Sequence, residues 1–208
     1  MAVITNLTEQ KNKKRVNVFV DNSFFCGISR ETMVKNGIKV GLEIDENKLK
    51  NIIFESEVRR AQDYCLTLVA SKPYSHFEIK QKLSNKGFDD LVIIGVIKKL
   101  DEYNLIDDAL LAKAVVESSK YDGRRKIEQK LIKKGLSKTE IESAENMLTN
   151  EGESSKIDVI SAKYMKNKEK TLQNLQKLYR HLLARGFDYE LCKKGVEKFK
   201  EIDDESWD

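Results

Sequence analysis

Histidine, cysteine and proline are all scarce in this 208-residue chain, and each scarcity removes a class of explanation. The two histidines, His76 and His181, are far apart, and neither has a serine or cysteine beside it in a nucleophile motif. Nucleophilic hydrolysis therefore has no candidate triad. The three cysteines, Cys26, Cys65 and Cys192, are odd in number and widely spaced. They read as small buried hydrophobes of a reducing compartment, not as a disulfide framework or a metal pair. No glycine motif that cradles phosphate occurs. The adjacent acids Asp107 and Asp108 are explained by a helix start, where orphan amides and the helix dipole favour carboxylates, so no metal is expected there. No apolar run approaches the ~18 residues of a membrane span, and the first residues lack a signal-peptide pattern. The expectation is a cytoplasmic protein that touches no membrane, holds no cofactor and has no catalytic residue.

What is present is charge and helical periodicity. Charged residues make up 35% of the chain and apolar ones 40%, with one proline, a balance that suits soluble helices. A cadence repeats as Lys80–Phe88 (KQKLSNKGF), Glu128–Leu136 (EQKLIKKGL) and Tyr179–Phe187 (YRHLLARGF). In each, a leucine (Leu83, Leu131, Leu182) precedes a glycine (Gly87, Gly135, Gly186) by four residues, and an apolar residue follows directly. The glycines are 48 and then 51 residues apart, which marks a tandem helical array. Counted from each glycine, apolar or small residues recur at the first, sixth, ninth and thirteenth positions, so each repeat buries an equivalent stripe.

The first fifty residues read differently. Val16, Val18 and Val20, then Asp21-Asn22, then Phe24, Cys26 and Ile28 have the alternation and turn chemistry of a β-hairpin, with Val3-Ile4-Thr5 as a third strand. Ser29 caps a short helix ending at Gly37, and Val40–Ile44 offers one more strand. From Glu55 onward the helices take over. Ser75 and Ser137 each head an S-x-x-E capping box, and Asp89, Asp107 or Asp108, Ser155, Thr171 and Asp188 open further helices. Glu151–Ser154 reads as a hinge. The resulting fold is mainly α: an elongated tandem array of three three-helix repeats preceded by a small β-hairpin-containing α+β module. The expected divisions are 1–54 for that module, 55–104, 105–150 and 151–208 for the repeats, the last including an acidic tail, Glu201–Asp208 (EIDDESWD).

The net charge of +4 is unevenly spread: Tyr121–Lys138 carries +5 and Lys163–Arg185 carries +6. Lys126, Lys130 and Lys133 form a helical stripe beside the apolar face of Ile127 and Leu131. Acidic compensation looks sparse, which points to a polyanion or an acidic protein as partner.

Two segments resemble the RecX family of regulators of the RecA recombinase: Tyr103–Asp108 (YNLIDD) and Tyr121–Gly135 (YDGRRKIEQKLIKKG), with Glu78–Phe88 as their counterpart in the first repeat. The likeness covers about Glu55 to Phe199, and the hairpin module resembles that of the longer family members. Ala109–Ala112 and Asp122 depart from the family's common pattern. The resemblance implies a non-enzymatic monomer that acts in DNA repair and recombination. It would lie along the RecA filament on single-stranded DNA, touch that DNA directly or not, and lower its ATPase and strand exchange. The implied contacts are Arg124, Arg125, Lys126 and Lys130, then Lys133 and Lys134, then Lys177, Arg180 and Arg185. An autonomous DNA-binding helical-repeat protein and a scaffold for an unrelated acidic protein remain the alternatives at this stage.

Overall fold

A computed structural model describes residues 2–11 and 13–200. The acidic tail lies outside the described residues. The chain divides into two compact units, one holding the residues up to Pro73 with Ile79–Ile106, the other Tyr74–Glu78 with the chain from Asp107 onward.

The first unit opens with a four-stranded antiparallel sheet. Strands β1 (Ala2–Glu9), β2 (Arg15–Val20), β3 (Ser23–Ser29) and β4 (Glu43–Ile44) lie in the order β3-β2-β1-β4. Asp21 and Asn22 turn β2 into β3 with φ of 48° and 65°. That pair of left-handed residues matches the twist of a tight hairpin. Ser29 caps α1 (Arg30–Lys35) by accepting from the Thr32 amide. The segment read as a strand over Val40–Ile44 pairs only at Glu43–Ile44, because Gly41 takes a φ of 82° and turns the chain before it. One sheet face packs Ile4, Val18, Val20, Ile28 and Ile44 against Leu49 and Ile52.

Leu49 and Ile52 belong to α2 (Glu46–Val69), capped by Asp45. The helix therefore starts nine residues before Glu55, the start read from periodicity, and the boundary expected between 54 and 55 falls inside it. Its first turns serve the sheet and its later turns, through Val58, Ala61 and Cys65, serve a helical core. In that core α2 packs against α4 (Asp90–Glu102), and α3 (His76–Asn85) buries Ile79 and Leu83.

The second unit holds two further three-helix groups. α5 (Asp108–Ser118), α6 (Arg124–Lys133) and α7 (Lys138–Glu145) enclose Leu111, Ile127, Leu131, Leu136, Ala144 and Leu148. α8 (Asn150–Met165), α9 (Leu172–Ala184) and α10 (Tyr189–Glu197) enclose Ile157, Ile160, Leu178, Leu182, Phe187 and Cys192.

The leucine–glycine cadence has a local cause. In each repeat the amide after the glycine bonds back to the leucine carbonyl: Phe88 to Leu83 (3.2 Å), Leu136 to Leu131 (3.3 Å) and Phe187 to Leu182 (3.5 Å). Each glycine amide also reaches the residue after that leucine, at Ser84, Ile132 and Leu183. With glycine φ values of 77°, 72° and 82°, this is the Schellman closure, in which the residue past the glycine folds onto the last helical turn.

The expected opening of the third repeat fails as well. Glu151–Ser154 is not a hinge but the first turn of α8, whose cap is Thr149 and not Ser155. Glu151 and Glu153 favour that turn because carboxylates there offset the positive helix end. Ser155 instead donates to the Glu151 carbonyl one turn back.

Candidate partner interface

The basic helix α6 is held at both ends by hydrogen bonds between its own terminal backbone groups and its neighbours. At its start, Gly123 N–H donates to the Arg185 carbonyl (2.9 Å) and Arg125 N–H to the Gly186 carbonyl (3.1 Å). The carbonyl end of α9 thus closes on the amide end of α6, joining opposite helix poles and satisfying groups that each helix leaves open. At the other end of α6, the Lys134 carbonyl accepts from the Ser75 hydroxyl, itself the cap of α3. Ser75 precedes Gly123 by the same 48-residue repeat spacing, so the two junctions are equivalent positions of one design. A Cβ on Gly123 would meet the backbone of Gly186 and Phe187, which leaves no room for a side chain.

Acids complete both junctions. Asp108 accepts from the His76 amide (3.1 Å) and faces His76 Nδ1 (3.1 Å). Glu153, only 2% exposed, accepts from the Arg124 amide (2.8 Å) and faces Arg124 Nε (3.7 Å). A buried carboxylate without such partners would be costly. In both places an acid in the first turn of one repeat's opening helix grips the first residue of the preceding repeat's middle helix.

This architecture divides the nine cations read from sequence. Arg124 donates to the Leu148 carbonyl (2.8 Å) besides facing Glu153. Lys126 and Lys130 converge on Asp122 at 2.7 and 2.6 Å, and Lys130 also reaches Ser119 Oγ (2.9 Å). Lys134 pairs with Glu78 at 3.0 Å. Arg185 donates to the Tyr121 carbonyl and to His181 Nε2, both at 3.0 Å. The impression of sparse acidic compensation around α6 is thereby corrected: one aspartate serves two lysines, and Glu78 and Glu153 arrive from distant segments. Burial alone would raise the Asp122 pKa, but the hydrogen bonds and charges of Lys126 and Lys130 outweigh it and hold the carboxyl below its ordinary value.

Arg125, Lys133, Lys177 and Arg180 are different. All four are exposed, and none makes an ion pair or a side-chain hydrogen bond within the described residues. On α6, Arg125 and Lys133 share an exposed face with Gln129 and Ile132, the last 55% exposed. On α9, Lys177 and Arg180 share one with Gln173 and Gln176. The spacing of the sequence could not separate these four from the other five, because the pairing acids lie 29 to 56 residues away in two of the cases.

Comparison with known proteins places this architecture. The chain matches the family models for the regulatory protein RecX N-terminal domain over residues 2–45 and for the RecX first three-helix domain over residues 61–100. It is 35% identical to the regulatory protein RecX of Clostridium botulinum (strain Alaska E43 / Type E3), covering 95% of this chain and 96% of that one. The chain belongs to the RecX family. Another regulatory protein RecX, from Clostridioides difficile (strain 630), is 32% identical over 98% of this chain and 99% of its own. A crystal structure of a regulatory protein RecX superposes with a TM-score of 0.65 at 22% identity, covering 93% of this chain and 98% of that one. The crystal structure of RecX from Lactobacillus salivarius gives 0.63 at 20% identity, covering 69% of this chain and 97% of that one. These two likenesses establish the RecX fold of this chain as mainly helical repeats behind a small antiparallel sheet.

Proposed function

We propose that the chain is a non-enzymatic regulator that binds the RecA filament on single-stranded DNA and lowers its ATP hydrolysis and strand exchange. Membership of the RecX family over nearly the whole chain carries this reading. The partition of cations supports it. Exposed charges that no acid balances cost a fold some self-repulsion and favour a partner of opposite sign. Arg125, Lys133, Lys177 and Arg180 are the contacts the geometry favours. Arg124, Lys126, Lys130, Lys134 and Arg185 spend their charge inside the fold, so their first role is to hold the middle helices in register. Several modest contacts spread over two helices would gain strength by engaging neighbouring subunits of a polymer.

The test is DNA-dependent ATP hydrolysis by the recombinase of the same organism. Added protein is expected to lower the rate at less than one copy per recombinase subunit. An unchanged rate and unchanged filament length over a broad titration would refute the reading. Tight, salt-sensitive binding of duplex DNA without recombinase would instead favour an autonomous DNA-binding protein.

A further inference from the structure

A cavity of about 230 Å³ opens where α8, the end of α9 and the loop before α6 meet, lined by Tyr121, Ile160, Lys163, Tyr164, His181 and Arg185. One lysine, one arginine, one histidine and two tyrosines gather there, and none of these lining residues is an acid. Lys163 Nζ lies 6.0 Å from the Tyr121 ring and Lys168 Nζ 3.4 Å from the Tyr164 ring. The Tyr164 and His181 rings face each other at 4.9 Å with 33° between their planes.

The parts are unequally committed. Arg185 is anchored through Nε to His181 and through Nη1 to the Tyr121 carbonyl, and its remaining guanidinium donors meet no partner among the described residues. Tyr164 already has His181 and Lys168 against it. Tyr121 is 50% exposed and offers a ring to stack on. Burial first, and then the charges of Arg185, Lys168 and Lys126, hold the His181 pKa below its ordinary value of 6.5. A half-exposed aromatic ring beside cations is the arrangement that binds an unpaired base together with its phosphate. The volume is below the roughly 300–1,000 Å³ that drug-sized ligands occupy and leaves room for one planar ring.

We propose that this cavity is a nucleotide site: a base stacks on Tyr121 while Lys163 and Arg185 take the adjacent phosphate, one unit of a single strand at a time. The proposal rests on the filament reading, in which such a strand lies within reach, and names how the chain would touch it.

The experiment uses the full chain and a fluorescent oligothymidylate, without recombinase. Wild type binds, and Tyr121→Ala weakens affinity about tenfold or more, as loss of one stacked base does. Lys163→Gln lowers the slope of log affinity against log salt by roughly 0.7, the share of one phosphate on a single strand. Both side chains are exposed, and circular dichroism checks that the variants fold. The wild type supplies a second readout, because the strand should move the imidazole NMR signals of His181 and leave those of His76 in place. Thymidine monophosphate that moves the same signals equally well assigns the site to free nucleotides, with the base-and-phosphate chemistry unchanged. His181 signals that respond to neither ligand, variants that bind like wild type, or displacement of the strand by polyglutamate at equal charge would each overturn the nucleotide assignment, the last in favour of an acidic protein surface. If the Tyr121→Ala variant loses strand binding but still inhibits the recombinase, the filament reading survives. If strand binding persists while wild type fails to inhibit, that reading falls and the pocket stands.

Discussion

Two ionisable residues in the second unit make its stability depend on pH in separable ways. His181 accepts a hydrogen bond from Arg185 Nε on Nε2, which only a neutral imidazole can do. Its ring is half-buried, stacked on Tyr164, with the charges of Arg185, Lys168 and Lys126 near it. The folded state therefore binds the His181 proton less readily than the unfolded chain, and stability falls as the pH drops below 6.5. Asp122 acts at lower pH. Its carboxyl is depressed in the folded state, so its contribution is present above the ordinary value of 3.8 and lost as the pH falls from there. Urea denaturation across pH should thus show two losses. His181→Gln is expected to flatten the part of the profile that begins below about pH 6.5, and Asp122→Asn only the part below about pH 4. A His181→Gln profile matching wild type would mean that burial and the neighbouring cations do not govern that imidazole. The cysteines give no comparable handle, because burial pushes the thiols of Cys26, Cys65 and Cys192 up to about 11, far from reactive thiolate.

At the scale of elements, the three closing glycines share a backbone conformation but not an environment. A Cβ on Gly87 meets nothing within 4 Å, whereas one on Gly186 would strike the amide and Cβ of Lys126. Gly87→Ala should cost only the left-handed conformation, about 1 kcal/mol. Gly186→Ala should add a further ~1–3 kcal/mol, because the start of α6 must move away from the end of α9. Equal losses for the two variants in urea titrations would show that the junction does not carry load. The contrast also marks what sequence made legible. Helix ends at Gly87, Gly135 and Gly186, and starts at Ser75, Asp89, Ser137, Thr171 and Asp188, could be read because their hydrogen bonds close within five residues. The junctions could not. Nothing near Gly123 in the sequence points to its partner, because its amide bonds 62 residues ahead to Arg185. The start of α8 was misplaced because Glu153 reads as a solvated acid, and only its partner Arg124 explains why it is buried.

Across the whole molecule, charge is the property that connects fold and partner, and it separates into two populations. Lys126, Lys130 and Lys134 pair with Asp122 and Glu78, so their reversal disturbs the fold before it can inform on binding. Arg125, Lys133, Lys177 and Arg180 pair with no acid within the described residues and stand on exposed helix faces, so their reversal should spare the fold. Each change to glutamate removes two charges, and the fourfold variant takes the net charge from +4 to about −4. Exposed substitutions of this kind shift stability by about 0.5 kcal/mol or less apiece. The fourfold variant should keep its helical circular dichroism and lose inhibition of the recombinase ATPase. Reversal of Lys126, Lys130 and Lys134 should lower the urea midpoint first. The decisive comparison is inhibition at matched folded fraction. If the fourfold variant still inhibits like wild type while the threefold one, refolded at low temperature, does not, the paired lysines and not the free ones face the partner, and the assignment of contacts to the exposed faces of α6 and α9 fails.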